Sequence, residues 1–362
     1  MPHPLGPAEA GLGRPRTAME QLVATVWQEH LGVAQVGIFD DFFHLGGHSL
    51  VAVRVMARLA KETGQRLPLA TLFEHPTVEK LALALAPDSQ LITWDVLVPI
   101  KPHGTKTPLY VVHGAGMNVL IYKAMSQQMA PDQPVYGLQA KGLNGVDEPS
   151  GSVEAMAADY VAAIVAANPH GPYALAGYSF GGIIAFEMAR QLLAVGREVQ
   201  FLGLFDTNAE QPDHHDPWLR KYWRRSRYTL QNIAYKCWLL SQRPKAVLGL
   251  RLQSLRRATI EKLKYAREEQ YELINGHSYR LGQVQAEAQR NYRLVPQPLQ
   301  VQLFRCTERL YYVSDAAHMG WREFALGGVQ VHDMPGNHFN LFAPPHDAAC
   351  ARVLQAALDE CC

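Results

Sequence analysis

Ser179 stands in the run Gly177-Tyr178-Ser179-Phe180-Gly181, directly after the apolar stretch YALAGY and directly before an amphipathic one. A GxSxG pattern with a strand before it and a helix after it exposes a serine hydroxyl on a sharp turn, where it can attack an ester or thioester. Serine is a poor nucleophile at its free pKa, so it needs a general base, and the base needs an acid to orient it. The order Ser, acid, His, taken with position after a predicted strand, singles out two carboxylates as candidates. Asp206 ends VQFLGLFD, the next strand predicted after the serine, and Asp315 lies in SDAAHMGW, beyond a later strand. Asp206 is preferred because it emerges at the same sheet edge as Ser179, although an Asp at a strand end also commonly caps a turn. The expected base is His338 in PGNHFNLF, on a Gly-containing turn between the last strand and the last helix. His113 in VVHGAG reads as a loop-holding residue rather than a base. The backbone N–H groups of Ala115, within the Gly114 to Gly116 turn, and of Phe180 are the expected oxyanion-hole donors.

A second serine, Ser49, sits in DDFFHLGGHSL, behind Gly46 and Gly47 and ahead of an apolar-periodic stretch. A helix that starts there points its backbone N–H groups and the positive end of its dipole at Ser49, which suits a phosphodiester on that hydroxyl. The plainer alternative is a serine that only caps its helix. Asp40, Asp41 and His48 lie around this serine on a polar stretch that reads as a solvated loop.

The elements that must carry these residues fall into two groups. Met19, Leu22, Val23, Val26, Trp27 and Leu31 repeat at helical spacing behind Thr17, a plausible N-cap with Glu20 three residues on. A helix from Ser49, a short one over LPLATLF and another from Thr77 to Leu85 complete a small bundle. Beyond a Pro-, Asp- and Ser-containing linker, short apolar runs at 109–114, 135–138, 173–179, 199–206, 299–307 and 329–334 alternate with amphipathic segments at 153–167 and 180–195. That rhythm predicts a mostly parallel sheet built from βαβ units. Residues 217–274 interrupt it with two predicted helices separated by Pro244. Between Pro217 and Arg267 there are 14 Lys and Arg against the single acid Glu261. This basic insertion suits a solvated face, a dock for the acidic helical unit, or a membrane-surface helix.

The 362 residues allow about two domains, and 48% hydrophobic content is ample for packed cores. A formal net charge of +1 gives no global field for nucleic acid, and no apolar run approaches the ~20 residues of a membrane span. The first residues lack the apolar core of a signal peptide, and five cysteines without metal-ligand spacing suit a reducing, cytoplasmic setting.

DDFFHLGGHSL, together with LFEHPTVEKLA, resembles the peptidyl carrier domains of nonribosomal peptide synthetases. VVHGAG, VYGLQAKG, GPYALAGYSFGG, LFDT and PGNHFNLF, within residues 96–359, resemble the chain-terminating thioesterase domains of nonribosomal peptide and polyketide synthetases. The resemblance implies a linker at 1–16, a four-helix carrier bundle at 17–86, a linker at 87–98, and an α/β hydrolase at 99–362 with a mostly parallel sheet and a helical lid insertion at about 208–294. It implies 4′-phosphopantetheine on Ser49, a catalytic triad of Ser179, Asp206 and His338, and acyl transfer from the arm to Ser179, followed by hydrolysis or macrocyclisation. Upstream synthetase modules, a phosphopantetheinyl transferase and a peptidyl or acyl thioester would be its partners. Met117 departs from the family pattern, in which a Gly run often continues. A stand-alone serine esterase or lipase, and a non-catalytic acyl-binding scaffold, stay open as alternatives.

Overall fold

The structure is a computed structural model that describes residues 13–47, 49–65, 67, 71–86, 96–115, 119–143, 147–209, 218–242 and 277–362. The chain divides into two units, 1–95 and 96–362.

In the first unit, helix α1 (Ala18–Leu31) opens with a capping box. The Thr17 hydroxyl accepts the Glu20 N–H, and the Glu20 carboxylate accepts the Thr17 N–H. Gly32 closes the helix in the left-handed conformation (φ 70°). Its inner face buries Val23, Val26 and Trp27, and Phe42 from the following loop meets the Trp27 ring edge-on at 5.1 Å. Helices α2 (Ser49–Thr63), α3 (Thr71–Glu74) and α4 (Val78–Ala84) follow, and α1 packs against both α2 and α4. Arg16 links the starts of α1 and α4, bonding Glu20 at 2.7 Å and Glu79 at 2.5 Å.

The second unit is a seven-stranded sheet in the order β1-β3-β2-β4-β5-β6-β7. Its strands are β1 (Leu97–Lys101), β2 (Leu109–Val112), β3 (Val135–Leu138), β4 (Tyr173–Tyr178), β5 (Val199–Phe205), β6 (Val301–Cys306) and β7 (Val329–Met334). Only β1 runs antiparallel to its neighbour. Strands buried on both faces should be continuously apolar rather than alternating, and all four residues of β2 are buried. On one face, Val112, Leu175, Leu204 and Leu303 share a core with helices α6 (Val153–Ala167) and α7 (Phe180–Ala194). The other parity of side chains supplies Phe205 and Phe304, stacked at 4.7 Å, and Phe205 meets Phe342. Helix α5 (Lys123–Gln127) packs there against α10 (Asp347–Cys361), Cys350 touching Met125.

Between β5 and β6 come α8 (Trp218–Gln242) and α9 (His277–Asn291). Helix α9 lies within the predicted insertion but has no counterpart among the helices read from periodicity. The second predicted insertion helix, in 243–276, lies outside the described residues, as do His48, Gly116 and Met117. Among the described residues no helix is long and apolar enough to cross a membrane.

Candidate active site

Ser179 follows β4 and precedes α7, at φ 55° and ψ −119°, a backbone conformation that L-residues avoid unless the surroundings impose it. Two close approaches impose it here. A Cβ on Gly177 would lie 2.1 Å from the Gly181 carbonyl oxygen, and a Cβ on Gly181 would lie 2.1 Å from that of His113. The turn therefore closes only with hydrogen at both positions, which is the physical content of the GxSxG spacing. The Ser179 side chain makes no capping bond to α7, so the hydroxyl is not spent on the helix it precedes.

Parallel pairing of β4, β5 and β6 then sets the acid. Ser179 N–H donates to the Phe205 carbonyl at 2.9 Å, and Asp206 N–H donates to that of Phe304 at 2.7 Å. Ser179 and Asp206 thus leave neighbouring strands at adjacent positions. Asp206 is itself at positive φ (43°) and only 2% exposed. His338, on the turn after β7, reaches back across β6, and its Nδ1 lies 2.7 Å from Asp206 Oδ2. The Cys306 N–H donates to Asp206 Oδ1 at 3.1 Å and the Tyr311 hydroxyl to Oδ2 at 2.9 Å. Burial alone would raise this carboxyl, but His338, the Cys306 amide and Tyr311 outweigh it and hold Asp206 below the ordinary aspartate value. An ionised carboxylate at this distance fixes the neutral imidazole with its proton on Nδ1, leaving Nε2 as the nitrogen able to accept one.

The turn that carries His338 is tied down locally. Asn340 Oδ1 accepts the Asn337 N–H at 2.7 Å, Asn337 Oδ1 accepts the Phe339 N–H at 3.0 Å, and the Tyr178 hydroxyl donates to the His338 carbonyl. Phe339, the next residue, is 71% exposed.

Asp315 does something else. Its carboxylate accepts N–H bonds from Ala317, His318 and Gly320 at 3.0–3.2 Å, which outweigh burial and lower its pKa. The turn it caps carries Met319 and Trp321, whose carbonyl and indole N–H bond Ala209 and Thr207, just beyond Asp206. Asp315 therefore supports the loop that leaves Asp206. His113 is fully buried between the Gly114 carbonyl and the Tyr160 hydroxyl, each 2.7 Å from a ring nitrogen. Burial pushes its pKa down to about 4, so it is a neutral strut beneath the turn after β2.

Ala115 lies on that turn, two residues past His113. Phe180 opens α7, where the first N–H groups of a helix have no intrahelical acceptor. The contact of Gly181 with the His113 carbonyl brings these two segments together.

In the first unit Ser49 is the first residue of α2, a 15-residue helix with no acidic residue in its first turn to neutralise its positive end. The loop before it is tightly folded. Gly46 is at φ 94°, a Cβ on Gly47 would meet the Phe42 ring at 2.3 Å, and Asp40 and Asp41 accept backbone N–H bonds from Gly37, Phe43 and His44. The two aspartates hold this loop in shape. These residues fit a phosphate-linked group at the helix start.

Comparison with known proteins agrees with this division. A thioesterase domain model matches residues 107–358, and a phosphopantetheine attachment site model matches residues 21–85. The malpinin synthetase of Mortierella alpina is 42% identical over 214 residues, 58% of this chain and 3% of its own length. A dimodular nonribosomal peptide synthase of Bacillus subtilis (strain 168) is 41% identical over 211 residues, 58% of this chain and 9% of its own. The chain thus spans a small part of these relatives. Among solved structures, a holo four-domain nonribosomal peptide synthetase bound to AMP and glycine covers 98% of this chain and 27% of its own at TM-score 0.59 and 24% identity. The NocB thioesterase domain, in a covalent complex with a fluorophosphonate nocardicin G analogue, covers 72% of this chain and 99% of its own at TM-score 0.51 and 22% identity. At such identities these two structures establish the fold alone. With a thioesterase model over residues 107–358 and a phosphopantetheine attachment model over residues 21–85, the chain belongs to the thioesterase family and joins that domain to a 4′-phosphopantetheine carrier region.

Proposed function

We propose that this chain is the carrier and releasing end of a nonribosomal peptide or hybrid peptide/polyketide synthetase. Residues 17–86 form the carrier, 99–362 the releasing enzyme, and the helical stretch within about 208–294 its lid. The observation that carries the reading is the 2.7 Å bond between His338 Nδ1 and Asp206, one strand from a serine held at φ 55°.

Ser49 would carry phosphopantetheine, which when bound supplies a thiol that holds acyl or peptidyl groups as thioesters. Ser179 Oγ attacks the acyl carbonyl while His338 Nε2 takes its proton, and Asp206 stabilises the imidazolium. The N–H groups of Ala115 and Phe180 receive the developing oxyanion, each such donor contributing roughly 3 kcal/mol. The leaving group would be a thiolate, and thiols are far more acidic than alcohols, so no residue need protonate it as the acyl group passes to Ser179. The acyl–Ser179 ester is then attacked by water, giving an acid, or by an internal amine or hydroxyl, giving a macrocycle, with His338 taking the nucleophile's proton. Upstream modules supply the chain and a phosphopantetheinyl transferase installs the arm. All five cysteines are free thiols, which supports a cytoplasmic setting.

The test is to load the full chain with a peptidyl-coenzyme A and a phosphopantetheinyl transferase, then follow intact mass. The expected course is one added peptidyl-phosphopantetheine, then loss of the peptide as acid or ring, with Ser179→Ala keeping the peptide bound. A stand-alone esterase would gain no mass. A non-catalytic scaffold would gain it and never release the peptide.

A further inference from the structure

The loop after β6 carries two adjacent tyrosines that face different partners. The Tyr311 hydroxyl donates to Asp206 Oδ2 at 2.9 Å, the oxygen that also lies 2.7 Å from His338 Nδ1. Its ring meets the His338 ring edge-on with centroids 5.7 Å apart. Tyr312 turns instead to α8. Its hydroxyl donates to Gln231 Oε1 at 2.9 Å, and its ring packs on Tyr228 at 5.4 Å and Tyr235 at 6.0 Å. Tyr235 adds a bond from its own hydroxyl to the Arg309 carbonyl at 3.1 Å. Arg309 and Tyr312 thus hold α8, while Tyr311 beside them holds the carboxylate.

We propose that Tyr311 is a positioning residue for the Asp206–His338 pair and that the Tyr311–Tyr312 step couples the seating of α8 to the way Asp206 is shared with His338. This rests on reading that pair as the acid and base. A carboxylate oxygen that accepts two hydrogen bonds divides its charge between them. Donation from Tyr311 therefore takes up part of the charge that would stabilise the protonated imidazole. With α8 seated, Asp206 Oδ2 is shared between the Tyr311 hydroxyl and His338 Nδ1, and the carboxylate is held in line with the imidazole from both sides. A shift of α8 would draw the loop through Tyr312, weaken the Tyr311 bond and leave Asp206 Oδ2 to His338 alone.

The surroundings leave Tyr311 as the adjustable partner. Burial, then the Asp206 charge, raises the Tyr311 pKa, so it remains a donor at working pH. Tyr178 from β4 and Cys306 from β6 are likewise kept neutral by burial. Arg309 is the further charge acting on Tyr311 from within the loop.

The experiment follows kcat/KM against pH for the full chain with a short-chain N-acetylcysteamine thioester. Tyr311→Phe should lower kcat about 10-fold and move the acid limb up by about 0.5 pH unit. Tyr312→Ala should move the limb in the same direction by less, and the double variant should match Tyr311→Phe alone. Tyr312→Phe, which deletes only the bond to Gln231, gives a smaller shift of the same sign and serves if the alanine variant does not fold. A purely structural role for Tyr311 would lower kcat with the limb unmoved, which overturns its positioning role. An unmoved limb in both Tyr312 variants overturns the coupling. Fluorophosphonate labelling separates these results from a wrong acid–base reading, because a wild-type chain that takes no label at Ser179 overturns that reading itself.

Discussion

Two serines stand at helix N-termini, and their surroundings differ in kind. Ser49 begins α2 behind a glycine loop, and among the described residues of the first unit the helix end is what points to chemistry. Ser179 is wedged between a buried strand and α7, in a backbone geometry that two glycine contacts enforce, with an acid and a histidine brought in from strands β5 and β7. A tethered phosphate needs a local field, which one helix supplies. A nucleophile needs convergence of groups distant in sequence, which takes a sheet. The sharpest way to break the comparison is to exchange the losses. Ser49→Ala should abolish transferase-dependent mass gain, while Ser179→Ala should keep that gain and lower thioester turnover on the order of 10⁶-fold. Retained turnover in Ser179→Ala, read with a free thioester, would remove the distinction.

The acid side of the second site offers the next largest effect. Asp206→Asn leaves a neutral amide against His338 and should cut kcat by about 10⁴, through loss of the correct tautomer and of imidazolium stabilisation. Asp315→Asn keeps one accepting oxygen and sets an NH2 group against the N–H groups on the other side, either Gly320 or Ala317 and His318. It should act through the fold, lowering the melting temperature by an amount equivalent to about 1–2 kcal/mol and kcat only a few-fold. Equal losses of kcat would mean that the loop, and not the pair, sets the rate.

That pair also marks where the sequence stops being sufficient. Strands β2, β4, β5 and β6 were readable because parallel strands buried on both faces are short, predominantly apolar runs, broken in β5 and β6 only by Gln200, Gln302 and Arg305. The capping box at Thr17 and Glu20 was readable because its two bonds span three residues. Asp206 and Asp315 both satisfied the chain order, and the distance from His338 that separates them depends on a turn crossing β6. Tyr311 carried no signal at all, since it lies 105 residues from the carboxylate it touches. Helix α9 escaped because its sequence is polar on most of its surface, and the direction of β1 is a property of the sheet rather than of LVPIK.

The smallest effect contrasts two hydroxyl residues at helix starts by what each costs to remove. The Thr17 hydroxyl accepts the Glu20 N–H at 3.1 Å, so Thr17→Ala should destabilise the first unit by about 1 kcal/mol in a denaturant melt. Ser179 makes no such bond to α7 and sits at φ 55°, where a Cβ is unfavourable. Ser179→Gly therefore deletes no cap and relieves backbone strain, so the second unit should gain about 1 kcal/mol while turnover is lost. The opposite signs follow from the jobs of the two side chains, one holding its helix and the other held by it. A Ser179→Gly variant that melts at lower denaturant than wild type would mean that the serine side chain stabilises its own turn, and the strain would then have to be assigned elsewhere.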